Sequence, residues 1–455
     1  MLEPLEFISG VIEGFYGEPW TQAERLKLFD QMKVLGLNTY FYGPKDDLKH
    51  RTIWRELYSD SEIGILSEII TACDQRTLRF IYGLGPGLDV RYSDESDYEC
   101  VCRRFDQLIT LGCRNFAILF DDIPDRMDAT DASRFSSFAH AQCHLTNRLF
   151  ERTRCECPEV RLFFCPTPYC GRMAESKLGG PDYLSILGKE LHPEIEIFWT
   201  GPEIISQEIT VESIRDLQEQ LRRKPLLWDN LHANDYDMRR FFCGPYTGRP
   251  LEIKELVSGV MLNPNNDFPL NFVPFHTMAA FLNAVGPWDP REGYLAAMME
   301  WLPSFETVHG SISLDELILL GDCFYLPFQD GPEAEELYNN AQLLMGPQTH
   351  CWEKAARVFR VRASQLKLLC TRLTELRDRR LFYALSGRIW ELREELDFLE
   401  RYLAYRENQN VPHPNFASEC HHLGTYRGGI VARLQRLMTR YPDGSFQPTE
   451  PPLFA

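Results

Sequence analysis

Two adjacent carboxylates, Asp121 and Asp122, are the residues of this chain whose types and spacing most clearly suggest chemistry. They follow the mostly apolar residues 115–120, and Pro124 comes shortly after them. A short continuous apolar run predicts a strand buried on both faces, so both acids are expected at a strand end. Like charges this close resist joint ionisation, which raises one pKa and lowers the other. One acid could then donate a proton while its neighbour stays anionic.

The pair also has a plainer interpretation, because Asp is common in solvated turns and at helix N-caps. Unequal pKa values in a neighbouring pair are only a probabilistic sign of function. The other residues that the fold brings near the pair must therefore distinguish a turn from an active site.

The elements that position these residues form one recurring pattern, an apolar β-rich run followed by polar residues and then by a helical stretch. Strands that alternate with helices predict a parallel sheet. Eight such runs fit an α/β chain with a closed (β/α)₈ barrel, a TIM barrel. An open doubly wound sheet is the alternative, but it would concentrate its polar residues at one switch point, whereas here they follow almost every run. The runs are 7–12, 37–42, 79–83, 116–120, 161–165, 196–199, 225–228 and 259–262.

The carboxyl ends of all barrel strands open on one face, which carries the active site. The residues expected there are rich in carboxylates, amides and aromatic rings, which suit the hydroxyls and the apolar face of a sugar. The glycines at 83–87 lack the pattern of a phosphate-binding loop, and no Gly-x-Ser-x-Gly elbow occurs. His232 and His276 are isolated, so neither a metal nor a cofactor is expected. A glycosidase that works through carboxylates is therefore favoured.

Composition narrows the class of protein further. The chain has 455 residues, 44% hydrophobic and 25% charged, with a formal net charge of −18, which argues against nucleic-acid and anionic-membrane partners. The first residues lack the pattern of a signal peptide, and no apolar run reaches membrane-spanning length. The 14 cysteines are scattered, as expected of reduced, mostly buried thiols in a cytoplasmic or nuclear protein.

The sequence divides into four expected parts. Residues 1–284 form the barrel, 285–332 a linker with connecting helices, 333–446 a helical stalk domain, and 447–455 an extended tail. Within the stalk, 353–376 and 381–405 carry apolar residues at helical spacing and need a partner face. An intrachain bundle and a dimerisation stalk would bury the same stripe, so the sequence leaves both open.

Several stretches, taken together, resemble the animal O-GlcNAcases of glycoside hydrolase family 84, which remove N-acetylglucosamine from Ser and Thr of intracellular proteins. The resemblance covers about residues 7–285 and resumes through the helices to 427–429. Unlike the family's vertebrate members, this chain has no long acidic insert before the stalk and no acetyltransferase-like domain after it, as in a short form. The stretches are GVIEGFYG (10–17), GPKDDLKHR (43–51), LFDDI (119–123), FSSFAHAQ (135–142), CPTPYCG (165–171) and WDNLHANDYD (228–237).

The resemblance implies roles for particular residues. Asp121 would orient the 2-acetamido group of the substrate, whose oxygen attacks the anomeric carbon to give an oxazoline with overall retention. Asp122 would be the general acid and then the general base. The implied sugar-binding residues are Gly14, Lys45, Asn230, Asp235 and Asn263 for the hydroxyls, Tyr169 for the acetamido group, Trp228 for the pocket wall, and Phe15 and Tyr16 for the approach.

The predicted protein is thus a retaining β-N-acetylglucosaminidase that acts on O-GlcNAc-modified proteins. The resemblance also implies a homodimer in which each helical stalk helps to cover the cleft of the other subunit. Three alternatives remain: the same chemistry on a glycan such as hyaluronan, a non-catalytic O-GlcNAc reader, and a scaffold held together by the stalk. The presence of both acids weighs against the reader.

Overall fold

Eight parallel strands close into a barrel in the order of the sequence. In the computed structural model, which describes residues 6–124, 126–408, 428–441 and 445–449, β8 pairs with β1 and places Leu262 opposite Val11. Each strand lies within two residues of a predicted run, so the (β/α)₈ barrel is confirmed and the open sheet is wrong. The strands are β1 (Ile8–Glu13), β2 (Thr39–Tyr42), β3 (Arg79–Leu84), β4 (Asn115–Leu119), β5 (Arg161–Cys165), β6 (Glu196–Trp199), β7 (Leu226–Asp229) and β8 (Gly259–Leu262).

Ten helices follow or connect these strands, and local chemistry fixes where they begin and end. The first begins at Thr21, whose side chain accepts from the backbone N–H of Glu24 while the Glu24 carboxylate accepts from Thr21. It ends at Gly36, which adopts a left-handed φ of 73°. The helices are α1 (Gln22–Leu35), α2 (Asp60–Asp74), α3 (Glu95–Ile109), α4 (Ala129–Arg134), α5 (Phe138–Glu156), α6 (Gly171–Glu175), α7 (Tyr183–Glu190), α8 (Val211–Leu221), α9 (Ile253–Leu256) and α10 (Phe272–Asn283).

The barrel interior is filled by side chains that alternate along the strands. They include Ile12 of β1, Phe41 of β2, Phe163 of β5 and Phe198 of β6, all essentially inaccessible to solvent. Because the interior is packed, the barrel has no pore, and a substrate can meet the strands only at their ends.

The chain forms two compact units that do not follow a single cut in the sequence. The first comprises the chain up to Asp235 together with Tyr246–Phe268 and Met278–Trp288. The second comprises Tyr236–Pro245, Pro269–Thr277 and the described residues from Asp289 onward. The domain limits read from the sequence stay predictions.

The second unit is mostly helical, and its two longest helices bury the apolar stripes that the sequence indicated. Phe359 and Leu366 of the first, and Leu385 and Leu392 of the second, are fully buried within this chain. This packing is that of an intrachain bundle. Its elements are α11 (Pro290–Trp301), β9 (Glu306–Thr307), β10 (Gly310–Ser311), α12 (Leu314–Cys323), α13 (Pro332–Leu343), α14 (His350–Leu373), α15 (Arg379–Glu407), α16 (Gly429–Gln435), β11 (Met438–Arg440) and β12 (Phe446–Pro448).

The end of the chain is described only in part. The extended tail predicted for 447–455 lies outside the described residues beyond Thr449, and β12 at its start pairs antiparallel with β11. In the described ranges, no helix combines the length and the apolar character needed to cross a membrane.

Candidate active site

The carboxyl ends of the strands bring the predicted site residues onto one face of the first unit. They follow six different strands, and side-chain contacts link most of them into two groups. Beside the acidic pair lie the cations and one tyrosine, and across the strand ends lie the tryptophan and two amides. The predicted residues are Gly14, Phe15 and Tyr16 after β1, Lys45 after β2, Asp121 and Asp122 after β4, Tyr169 after β5, Trp228, Asn230 and Asp235 in or after β7, and Asn263 after β8.

Asp121 is held by two cations from the loop that follows β2. Its Oδ2 lies 3.3 Å from Lys45 Nζ and 3.2 Å from Arg51 Nη1. The Asp121 side chain is only 15% exposed. Its other oxygen, Oδ1, is buried and has no hydrogen-bond partner among the described residues. That oxygen is placed to accept a hydrogen bond from a bound molecule.

Asp122 adopts a left-handed backbone conformation with a φ of 49°, which is uncommon for a residue other than glycine. Arg51 Nη2 donates to the carbonyl oxygens of Asp121 at 3.2 Å and Asp122 at 3.0 Å. The Tyr169 hydroxyl donates to Asp122 Oδ1 at 3.3 Å. Asp122 as a whole residue is exposed, so its carboxyl group faces the open side of the site.

The two carboxyl groups differ in charge because their surroundings differ. Burial alone would raise the pKa of Asp121, but the charges of Lys45 and Arg51 more than offset this and lower it to about 2. Partial burial of its carboxyl group and the negative charge of Asp121 raise the pKa of Asp122, although Lys45 and Arg51 oppose that shift. Asp121 is therefore the anion of the pair, and Asp122 is the group that keeps a proton to higher pH.

The opposite side of the site is built from Trp228 and two buried amides. Asn230 Oδ1 accepts from Trp228 Nε1 at 3.1 Å and from Asn263 Nδ2 at 2.9 Å. This arrangement leaves Asn263 Oδ1 buried with no hydrogen-bond partner in the described chain. Gly14 lies against the indole, since a Cβ on it would come within 3.0 Å of the Trp228 ring. The aromatic wall therefore requires glycine at position 14.

The strand β7 that carries these groups is anchored by a buried ion pair. Arg249 donates to Asp229 Oδ2 at 2.7 Å and to Asp229 Oδ1 at 2.8 Å, and the Tyr246 hydroxyl donates to Oδ2 at 2.7 Å. Both charged side chains are inaccessible to solvent. Asp229 is thus occupied by structural bonds, and this explains why it is no candidate for catalysis despite its position at a strand end.

The β1 loop forms one rim of the site and separates two residues that the sequence analysis grouped together. The Tyr16 ring is 48% exposed and lies 5.8 Å from Lys45 Nζ. Its backbone N–H donates to Asp235 Oδ2 at 3.1 Å, and its carbonyl oxygen accepts from Asn266 Nδ2 at 2.5 Å. Phe15, in contrast, is 1% exposed. The structure therefore does not place the Phe15 ring on the surface of the approach; it belongs to the packing beneath.

Three residues of this neighbourhood were not selected from the sequence. Arg51 contacts the acidic turn directly, His50 lies buried beside it with Nδ1 2.7 Å from the carbonyl oxygen of Gly83, and Asn266 holds the β1 loop. Burial and the charge of Lys45 lower the pKa of His50 to about 3, so its ring is neutral. Arg51 and His50 belong to the quoted segment 43–51, but that segment does not indicate which of its basic residues reach the acids.

The candidate site has no arrangement suited to a metal. Within the described ranges, no group of three or more His, Cys, Asp and Glu side chains could hold a metal ion. What the arrangement can do chemically is acid–base work on a neutral polar ligand: a fixed carboxylate, a neighbouring proton donor, amide groups and an indole wall surround it.

Comparisons with known proteins agree with this chemistry. Residues 9–312 match the protein family described as beta-N-acetylglucosaminidase. Over 275 residues, the chain is 46% identical to the proteins named Protein O-GlcNAcase of Rattus norvegicus and Mus musculus. The match covers 60% of this chain and 30% of each relative, so the chain spans about 30% of their length. A solved variant of an O-GlcNAc hydrolase from Thermobaculum terrenum superposes with a TM-score of 0.79 at 28% identity, covering 88% of this chain and 85% of that one.

Proposed function

Because the chain belongs to the beta-N-acetylglucosaminidase family, we propose that it hydrolyses β-linked N-acetylglucosamine with retention at the anomeric carbon and removes this sugar from Ser and Thr of proteins. The observation that carries the proposal is the unequal acidic pair. Asp121 is a buried anion with one oxygen unused by the described residues, and Asp122 beside it has a raised pKa. The pair supplies one fixed negative charge and one proton donor on the same side of a ligand.

In the first step, Asp121 Oδ1 accepts a hydrogen bond from the N–H of the 2-acetamido group. The acetamido oxygen then attacks the anomeric carbon while the bond to the leaving oxygen breaks, and an oxazoline forms. Asp122 gives its proton to the Ser or Thr oxygen, which leaves as a neutral hydroxyl. The negative charge of Asp121 stabilises the positive charge that develops on the acetamido group.

In the second step, Asp122 is a carboxylate and accepts a proton from a water molecule. This water attacks the anomeric carbon on the face that the leaving group vacated, and the oxazoline opens to restore the acetamido group. Two inversions give overall retention. Because the substrate supplies the nucleophile, no second carboxylate is needed across the ring, in contrast to the usual pair of a retaining glycosidase.

The remaining residues hold the sugar. Asn263 Oδ1 can accept from a hydroxyl, and Asn230 fixes its orientation through the bond between the two amides. Trp228 offers an aromatic face, and Tyr169 lies near the acetamido group because its hydroxyl already reaches Asp122. Lys45, Gly14 and Asp235 complete the set proposed for the hydroxyls, with Tyr16 at the approach and Phe15 supporting it from beneath.

The proposal extends to the substrate and to the assembly. The substrates are O-GlcNAc-modified proteins of the cytoplasm and nucleus, as the family resemblance implies. A homodimer through the helical stalk is supported by one exposed face of α15, where Tyr383 is 64% and Trp390 46% exposed and a Cβ on Gly387 between them would meet open space. Analytical ultracentrifugation over a range of concentrations tests the dimer, and a monomer at every concentration would contradict it.

Hydrolysis of an aryl β-N-acetylglucosaminide tests the chemistry directly. We expect turnover to fall progressively as the methyl hydrogens of the acetamide are replaced by fluorine, because fluorine makes the attacking oxygen less nucleophilic. Asp121→Asn should lose activity on every member of the series. Turnover that ignores fluorination would refute participation of the acetamide, and tight sugar binding without turnover would instead favour a non-catalytic reader.

A further inference from the structure

Arg51 makes more contacts with the acidic turn than any role as a counter-charge would need. Its Nη1 donates to Asp121 Oδ2 at 3.2 Å, and its Nη2 donates to the carbonyl oxygens of Asp121 at 3.2 Å and Asp122 at 3.0 Å. The side chain is nearly buried. A planar guanidinium can make these contacts at once because its donors are fixed in a fork, which an ammonium group lacks.

The backbone that Arg51 holds is the strained part of the site. Asp122 has a φ of 49°, in the left-handed region that residues with a Cβ adopt only when their surroundings enforce it. Both carbonyl oxygens of this turn point toward one side and accept from the same nitrogen of Arg51. The left-handed turn is what lets two consecutive carboxyl groups serve the same ligand, since consecutive side chains of an extended strand point to opposite faces.

We propose that Arg51 is a positioning residue of the hydrolysis: it fastens the left-handed Asp121–Asp122 turn and, together with Lys45, occupies Oδ2 of Asp121 so that only Oδ1 is offered to the substrate. The inference rests on the proposed function, because it assigns Arg51 a task within that reaction. Lys45 differs from Arg51 in reaching the carboxylate only, so the two cations are not interchangeable.

Electrostatics support the geometric argument. The charged and titratable groups that face Asp121 come from three loops, and the charge of Arg51 opposes protonation of both acids. Neutral His50 adds no charge, and the Cys165 thiol stays protonated because burial raises its pKa. Removal of Arg51 therefore raises the pKa of both acids. The facing groups are Lys45, His50 and Arg51 after β2, Asp122 after β4, and Cys165 and Tyr169 after β5.

The test compares Arg51→Met with Arg51→Lys on an aryl β-N-acetylglucosaminide across pH. Arg51→Met should lower kcat/KM by about 100-fold, the effect expected of a small displacement of catalytic groups. The acidic limb of its pH profile should move upward by about one pH unit, because an opposite charge near a carboxylate lowers its pKa by at least that much. Arg51→Lys keeps the charge and should keep the acidic limb, yet it should still lose about 10-fold in kcat because the turn is no longer fastened.

Arg55→Met is the matched control. Arg55 lies four residues away and pairs with Asp89 and Asp97 instead of the acidic turn, so its loss should leave kcat and the pH limbs unchanged. Addition of guanidinium to Arg51→Ala should restore part of kcat, which a general loss of folding would not allow. No rescue together with an unmoved acidic limb would overturn the proposal.

Folding and function can be separated in the same experiment. If Arg51→Met does not fold, Arg51→Lys decides, and wild-type kcat in that variant would overturn the positioning role. A titration of the carboxyl ¹³C shift of Asp121, in the wild type and in each folded variant, needs no turnover and should give a higher pKa without Arg51. Inactivity of the wild type would refute the proposed function, whereas an active wild type with equally active Arg51 variants would refute this inference alone.

Discussion

The replacement Asp122→Asn separates the general acid from everything else that the acidic pair does. An asparagine at 122 can still accept from the Tyr169 hydroxyl, which now bonds Oδ1 at 3.3 Å. The turn should also stay in place, because Arg51 bonds the backbone of Asp122 and not its carboxyl group. The replacement thus removes the transferable proton and leaves the anionic Asp121 and its two cations intact.

The size of the effect follows from how much protonation the leaving group needs. General acid catalysis contributes about 10²–10⁴-fold, or about 3–5 kcal/mol of barrier. A Ser or Thr oxygen must be protonated as it leaves, so kcat/KM for a glycopeptide should fall by that full factor. A nitrophenolate leaves without a proton, so kcat/KM for its glycoside should fall by less than about 10-fold.

The assay measures kcat/KM for a series of aryl glycosides of rising leaving-group pKa and for one glycopeptide. The plot of log kcat/KM against leaving-group pKa should be steeper for the variant. The wild type should lose activity as pH rises through the raised pKa of Asp122, and the variant should lack this basic limb. Asp128→Asn is the control, because Asp128 only caps α4 by accepting from Thr130 and asparagine caps equally well.

Two results would refute the assignment. Equal losses on the nitrophenyl glycoside and the glycopeptide would mean that Asp122 does not protonate the leaving group. A basic limb that persists in Asp122→Asn would mean that another group carries the proton.

Three further predictions concern the hydrogen bonds and charges around the site and in the helical unit. The Tyr169 hydroxyl lowers the pKa of Asp122, so Tyr169→Phe should move the basic limb of the kcat/KM profile to higher pH; a shift to lower pH would contradict the bond. Arg249→Met leaves a buried carboxylate without its charged partner, so equilibrium unfolding in urea should report a loss of about 3–5 kcal/mol, and a loss below about 1 kcal/mol would be incompatible with that pair. Burial raises the pKa of Glu395 to about 8 from the model value of 4.5, so the stability it contributes is full below the unfolded pKa and is lost as pH rises through the folded pKa. Glu395→Gln should therefore be more stable than the wild type by about 3 kcal/mol at pH 7 but nearly equal to it at pH 5, and an equal gain at both pH values would contradict the raised pKa.

The sequence by itself determined the barrel and the location of the acids. Each barrel strand is buried on both faces, so it appears as a short apolar run that polar or glycine residues end, and this pattern is local. The run before Asp121 and Asp122 therefore placed them at the carboxyl end of β4, where the structure has them. The apolar spacing of α14 and α15 likewise predicted stripes that are buried in the structure.

Only the tertiary structure decided which acid is charged. Lys45 and Arg51 lie 76 and 70 residues before Asp121 in the chain, and no local pattern says that a closed barrel brings them to one oxygen of that carboxylate. The same closure joins Asn230 to Asn263 and buries Phe15 beneath the rim instead of on it. A side chain's burial can be read from its neighbours in sequence, whereas its partner, its charge state and its free atoms depend on loops that meet only when the eighth strand closes on the first.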